Sequence, residues 1–522
     1  MHRLFPAITA LFFSGTLFAA ARSTTELPFA DSISIDGITW KFGEPVPVGR
    51  FVNGDWYVVG KVTVNSVHPA PTAERNGSIL NLPVDQGISG FDSRVSSNRF
   101  RANLRAGFPC AMKPGDALIS SISLDTIGTH GPWLREGNET PESPVKTVSV
   151  LTCLSSAVSA DAFRPSYCDR QQTIYHGESL CRDLLPNLPK VDDMPDIKSW
   201  ARHFRRPWLD VCFFGFDAAA EYQAMYGREV ARAVGIGTLM LLCDYTAAEK
   251  ESLLINIIQY GIDLWGISRA GYPGWQAHGG HGSGRKWPIL FAGLLLGDTA
   301  MASPDAAYPE LRFGEDMQTM YDQCWTGAKV VYAGHQGVID GKPVSTTPGW
   351  GPYEHKPPTE WADSNKIGED YRRCCTSLSW VGEALAARIM NATGLWNHDA
   401  FFDYVDRWMT ENDSAAVKAI SDARGWDYSA NWARQGQCWD AFVENMWEEY
   451  RASFPQRIIR ERSPRRQTGS TRRGMMNRLH CNKTGCLYSI NGRVLSNETV
   501  QRTGIVLVKE RQTLYKSLSL PQ

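Results

Sequence analysis

Beyond residue 20 the chain has no apolar run of the ~20 residues that a membrane-spanning helix needs, so a helical membrane protein is not expected. It has no excess of charge of either sign. Its 54 Lys and Arg face 55 Asp and Glu, a formal net of −1, which argues against a general polyanion binder. It has no cysteine framework: 12 cysteines are present, but Cys110, Cys153, Cys168, Cys181, Cys212, Cys243, Cys324 and Cys438 are scattered. Cys374 and Cys375 are adjacent, a spacing that rarely bridges, and Cys481 and Cys486 are spaced to close a small loop. Several of the others read as buried thiols acting as small apolar residues. No phosphate-binding GxxxxGK[ST] motif occurs.

What is present describes a folded chain. Of 522 residues, 43% are apolar and only 21% charged, and there are 18 Trp and 46 Gly. At ~150 residues per unit the length suggests roughly three to four units. The overall neutrality hides an asymmetry. Residues 455–522 hold 14 Lys and Arg against 3 Asp and Glu, a net of +11, which leaves 40 against 52, a net of −12, for the remainder.

The first residues, Met1-His2-Arg3, are basic; residues 4–20 are mostly apolar, and Ala19-Ala20-Ala21 offers a cleavage site. This is the pattern of a signal peptide over 1–21, with a membrane anchor as the weaker alternative. Residues 27–160 read as β. Ile33, Ile35, Ile38 and Trp40 alternate with polar positions, 56–64 (WYVVGKVTV) is β-branched and aromatic, and 117–124 and 145–154 are further strands. A sandwich-like β domain is expected. From 195 to 453 the apolar period becomes helical, with helices expected over 218–234, 236–245 (split at Gly235), 247–268, 287–301, 371–390, 398–410 and 439–451. Long loops rich in Gly, Pro and Trp separate them. This plan suggests an α/α toroid (an incomplete barrel of helices) with a cleft at one end, against an irregular helical domain. Residues 455–477 form a basic, low-apolar linker. A nucleic-acid arm is the sharper reading of its arginines, but an exported chain supplies no such partner, and none is expected.

Residues 478–522 carry short strand candidates in a small C-terminal β domain. Their text, LYSINGRVLSN followed by GIVLVKE and LYKSLSL, resembles the C-terminal sorting domain of the type IX secretion system. The match lies in Asn491-Gly492-Arg493 and in 504–509, with Val506 where an aromatic residue is usual, and covers about 35 residues. The resemblance implies export across an outer membrane by secretion machinery, with release or surface attachment.

The densest chemistry lies in QAHGGHGSGRKW, residues 276–287. His278, His281, Arg285 and Lys286 sit in a glycine loop ahead of an apolar helix. Histidine supplies a proton carrier near neutral pH. Arg285 is suited to a two-pronged grip on a carboxylate, with Lys286 beside it. A metal pair at His278 and His281 lacks identified carboxylate partners, so no metal site is expected, and the sequence reveals no cofactor. Tyr226 and Glu229 fall at or near a helix, with a surface ion pair as the plain alternative for Glu229. Tyr371, Arg372 and Arg373 open another helix, where arginines oppose the dipole and call for a partner, either a bound anion or Glu369 and Asp370. The long loop 331–361 adds Tyr332, His335, Trp350, Tyr353 and His355, an aromatic set that reads as a sugar platform or lid. The dense segment 396–408 reads as structural.

A cleft of His, Tyr and Arg in an exported, Trp-rich helical domain suits β-elimination of a uronate polysaccharide. A donor neutralises the substrate carboxylate, a base takes the C5 proton, and an acid protonates the leaving oxygen. The residue types and the helical portion of about 250 residues resemble the α/α-toroid polysaccharide lyases of the alginate, glucuronan and heparinase type. The Asn-Asn-His motif of one alginate-lyase family is missing. The resemblance implies His278, His281, Arg285, Tyr226 and Tyr371 as the catalytic set. Two alternatives stay open. One is a glycoside hydrolase on the same scaffold, drawing two carboxylates from Glu229, Asp263, Glu315, Glu369 and Glu383. The other is a glycan-binding surface protein without catalysis.

Overall fold

The computed structural model describes residues 26–454, except 86, 96–97, 128–142, 212–216, 430–435 and 439, together with 509–510 and 513–514. The signal peptide expected at 1–21 and the basic linker at 455–477 lie outside the described residues. So does the C-terminal β domain, apart from an antiparallel pair of Lys509–Glu510 with Thr513–Leu514.

Eight strands make one continuous sheet: β1 (Phe29–Ile35), β2 (Ile38–Arg50), β3 (Trp56–Val59), β4 (Val62–His68), β5 (Ser78–Leu80), β6 (Cys110–Met112), β7 (Ala117–Ser123) and β8 (Val145–Leu154). The order is β5-β7-β8-β3-β2-β4-β6, with β1 added on β2. The long strand β2 turns the sheet over on itself. Its first residues pair with β1 and β4, Val46 and Pro47 pair with β1 again past a register shift, and its last residues pair with β3. The two halves enclose a core in which Trp40, Phe42 and Val64 meet Leu118, Leu151 and Cys153. The Trp40 indole crosses that core to donate to Ser120 Oγ at 2.9 Å, which satisfies its one polar group. The other face of β7 and β8 packs Ile119, Val148 and Val150 into the helical core. Strand β8 is therefore buried everywhere except Lys146, and both of its faces read apolar or small (VKTVSVLTCL).

The helical part centres on α1 (Ile197–Phe204), α2 (Gly227–Leu242), α3 (Ala247–Arg269) and α4 (Lys286–Leu296). Thr246 and Glu249 close a capping box at the start of α3. From Leu253 to Ser268 every residue of α3 is buried, as suits a helix packed against α1 on one side and α4 on another. Helix Val381–Ile389 lies on α2, and helices Asp399–Thr410, Asp413–Arg424 and Ala441–Tyr450 complete the long ones. No helix among the described residues is long and apolar enough to cross a membrane.

Three expectations about the helices need correcting. Residues 218–226 are not helical; α2 starts at Gly227. Gly235 does not split α2. It lies within the helix where the backbone of Gly382 presses close, and a Cβ there would stand 2.9 Å from Glu383 N. Missing side chains at both glycines let the two helices touch. Residues 371–390 are not one helix either. A short helix, Lys366–Tyr371, runs into a π-turn at Arg372–Thr376 and a 3-10 turn before Val381–Ile389 begins.

Candidate active site

The glycine loop ahead of α4 gathers the site. Tyr226 caps α2, and its phenol oxygen accepts the Gly280 N–H at 2.9 Å. The His281 ring stands edge-on to Tyr226, centroids 4.6 Å apart, and lies 5.7 Å from His278. His335 brings the long loop in. Its ring is 5.0 Å from His278, 4.3 Å from Tyr371 and 4.9 Å from Trp350. His278, His281, Tyr226, Tyr371 and Trp350 are half-buried, so each presents an edge to solvent, whereas His335 is 4% exposed.

Gln318 ties the two loops together, and nothing in the sequence marked it. Its amide nitrogen donates to the carbonyls of Gly279 (2.9 Å) and His335 (3.1 Å) and to the Tyr332 phenol (3.0 Å). Gln336 donates from its amide nitrogen to His278 Nδ1. In the neutral ring this contact favours the tautomer with the proton on Nε2. Burial holds His278 below the usual imidazole range. Burial lowers His335 to about 4, helped by His278. Both rings are therefore neutral near pH 7. Burial raises the Tyr226 phenol, the Gly280 N–H opposing it. A phenol that accepts from a backbone amide keeps its own proton free to give, which suits a general acid.

Gly280 makes this packing possible. A Cβ on it would collide with the carbonyl of Cys375 and come within 2.9 Å of the Tyr226 hydroxyl. Gly280→Ala is expected to destabilise the fold by about 1–3 kcal/mol, the usual cost of overpacking, and to lower turnover by displacing Tyr226. Denaturant unfolding beside a rate measurement checks this; an unchanged midpoint would show that the loop has room.

Several predicted contact residues face inward instead. Arg285 is 1% exposed. It pairs with Asp210 at 2.8 Å and donates to the carbonyls of His281 and Ser283 at 2.8 Å each, so it braces the loop from beneath and is not placed to grip a substrate carboxylate. Lys286 is buried between Asp305 and Asp316. Glu229 accepts from Arg228 at 2.6 Å within the core. Arg372 reaches Glu369 (3.2 Å) and Glu354 (3.5 Å), while Arg373 reaches Glu369 (2.6 Å) and Asp413 (2.8 Å). Protein carboxylates thus take the place of the bound anion. Tyr332 is fully buried on Gln318, and Tyr353 donates to Glu369 at 2.7 Å. His355 is exposed, and among the described contacts none joins it to the histidines. The pattern has one cause: a cation with a buried carboxylate in reach stays there, because leaving strands two charges out of water. Among the described residues no group of three or more His, Cys, Asp or Glu could hold a metal ion.

Adjacent Cys374 and Cys375 are bridged, contrary to expectation, and the bridge sits in the π-turn directly after Tyr371. Cys110, Cys153, Cys168, Cys243, Cys324 and Cys438 are buried thiols.

Beneath the loop, Glu315 and Glu383 form a wholly buried carboxyl pair, and the Gly284 N–H donates to Glu315. Burial raises Glu315 to about 7 and, with Glu315 beside it, raises Glu383 well above the carboxylate range. A carboxyl raised on folding stabilises most below its unfolded value of 4.5, and that contribution is lost as pH climbs through about 7. Glu383→Gln removes one of the two charges. The variant should match the native protein near pH 5 and exceed it above pH 7 by on the order of 2–3 kcal/mol, measured by denaturant unfolding at both pH values. A gap that does not grow with pH would show that the pair carries no such linkage.

Compared with protein-family models, with curated proteins and with solved structures, the chain matches none of them.

Proposed function

We propose that the protein is an exported polysaccharide lyase that cleaves a uronic-acid-containing polymer by β-elimination. The observation that carries this reading is the meeting of Tyr226, Tyr371, His278 and His281, all half-buried, with the buried His335 around one glycine loop. In this mechanism His278, in the tautomer that Gln336 favours, donates to the substrate carboxylate and disperses the charge that builds as C5 loses its proton. His281 takes that proton. Tyr226, beside it, gives its phenolic proton to the leaving oxygen. Tyr371 is the second phenol at the same place, and Trp350 offers a face for a sugar ring, as aromatic rings do in carbohydrate sites. Arg285 keeps a supporting role through the loop carbonyls it holds.

Against the hydrolase reading, the five carboxylates it would draw on, Glu229, Asp263, Glu315, Glu369 and Glu383, are at most 2% exposed. A hydrolase needs two carboxyl groups open to the scissile bond and to water. An α/α-toroid arrangement of the helices, a signal peptide and a secretion-related C-terminal domain belong to the same proposal. The test is a panel of uronate polysaccharides. A lyase leaves an unsaturated uronate with a new ultraviolet absorbance. New reducing ends without that absorbance would identify a hydrolase, and binding with neither signal would identify a glycan-binding protein.

A further inference from the structure

We propose that the Cys374–Cys375 disulfide is a positioning element of the site: closed, it sets Tyr371 against His335 and, through His335, sets Trp350; opened by a dithiol, it lets that arrangement loosen. For its activity readout the proposal rests on the lyase reading above.

The bridge is placed to do this. The π-turn Arg372–Thr376 begins one residue after Tyr371, and Thr376 Oγ1 donates back to the Tyr371 carbonyl at 3.0 Å. π-turns inside helices are frequent at functional sites because they re-aim a side chain. On the inner side, Arg228 Nη1 donates to the Cys374 carbonyl at 3.0 Å and lies 3.9 Å from Cys375 Sγ. Gly280, whose amide holds Tyr226, rests against the Cys375 carbonyl. Arg372 and Arg373 are anchored by buried ion pairs to Glu354, Glu369 and Asp413. With its arginines held, the turn has its freedom at the two cysteines, which lie between Tyr371 and Gly280. Adjacent cysteines close a small ring that contains their shared peptide bond, so opening the bridge frees the backbone itself.

Reagent can reach the bridge. Cys374 is half-buried, whereas the other described cysteines are all buried. The exchange balances with a dithiol. Its thiolate attacks the Cys374 sulfur, the S–S bond breaks, and Cys375 leaves as a thiolate that takes up a proton. The second reagent thiol then displaces the Cys374 sulfur, which also takes up a proton. The reagent ends as its own disulfide, and two electrons and two protons reside on the cysteines.

The full chain is compared oxidised, reduced with dithiothreitol and reoxidised, beside the C374S/C375S variant. Alkylation and mass measurement count thiols at 374 and 375. Imidazole NMR follows the titration of His335 and His278, and turnover is followed on uronate polymer. Expected are no free thiol at these positions before reduction and two after it, a moved His335 titration, and kcat lowered about tenfold with KM less changed, all reversed by reoxidation. C374S/C375S should match the reduced protein and ignore dithiothreitol. Two free thiols before reduction, a His335 titration indifferent to the bridge, or a variant that behaves as the oxidised protein would each overturn the proposal. If His335 responds to reduction but no polymer is cleaved in either state, the positioning role stands and the lyase reading falls.

Discussion

Tyr226→Phe is expected to lower kcat by about 10²–10⁴-fold, the usual contribution of a positioned general acid, with little change in KM. The ring's packing on His281 survives the substitution. Only the hydroxyl is lost, and with it the acceptor for the Gly280 N–H. Gly280 is buried, so its amide is left without that acceptor, and the expected stability cost is about 1–3 kcal/mol. Tyr371→Phe separates the two phenols. If Tyr226 is the acid, Tyr371→Phe costs much less, and a substrate with a good leaving group restores Tyr226→Phe but not His281→Ala, because only the acid's step is bypassed. The checks are kcat and KM on natural and activated substrates, beside denaturant unfolding. An equal loss for both phenol variants on both substrates would reassign the acid, and full activity in Tyr226→Phe would remove Tyr226 from the chemistry.

How far this site could be read from the sequence depends on what kind of interaction makes it. The loop 276–287 was visible because histidines and glycines crowd together, and Tyr226, Tyr371, His335 and Trp350 stood out as residue types on other segments. The structure brings those four side chains, from three other segments, onto one loop. What stayed hidden was the direction of the cations. Arg285 and Lys286 look like ligand grips in one dimension, but their partners Asp210, Asp305 and Asp316 come from distant segments; for Arg372 and Arg373 the sequence offers the local partner Glu369, which both take, but not Glu354 or Asp413. No spacing rule finds a partner 75 residues away, as Asp210 is from Arg285. Gln318 escaped for the opposite reason: a lone glutamine is common, and its work lies in four acceptors supplied by other loops. For the fold, long and strongly periodic elements were legible. Residues 247–268 carry helical spacing, and α3 spans Ala247–Arg269. Local signals misled where tertiary contact decides. Gly235 looked like a break because glycine is a poor helix former, yet it sits inside α2 where another helix needs the space. Adjacency counts against a bridge between Cys374 and Cys375, yet the two are joined within the π-turn.

Arg164→Ala is expected to cost the most stability, about 3–5 kcal/mol, the range found when one partner of a buried ion pair is removed. Arg164 is wholly buried. Its Nε meets Asp55 at 2.6 Å and its Nη2 meets Asp263 at 2.6 Å, which ties the turn before β3 to the middle of α3. The main chain repeats the link, with Arg164 N–H donating to Gln259 and Gln259 donating back to the Arg164 carbonyl. This is the joint between sheet and helices, and a single guanidinium neutralises it. Burial raises Asp55, and raises Asp263 to about 6, even with Arg164 in place. A raised carboxyl stabilises most below its unfolded value of 3.8 and loses that contribution as pH climbs through about 6. Without Arg164 both groups face each other unpaired, and protonation is their one remedy. The loss in Arg164→Ala should therefore be greatest above pH 6 and partly relieved near pH 5. The triple change D55N/R164M/D263N, which leaves no charge at the joint, should recover most of it at both pH values. Denaturant unfolding of the single and triple variants at pH 5 and 7.5 decides. A loss below about 1 kcal/mol, or one that ignores pH, would show that the two layers are held by their shared apolar core and not by this arginine.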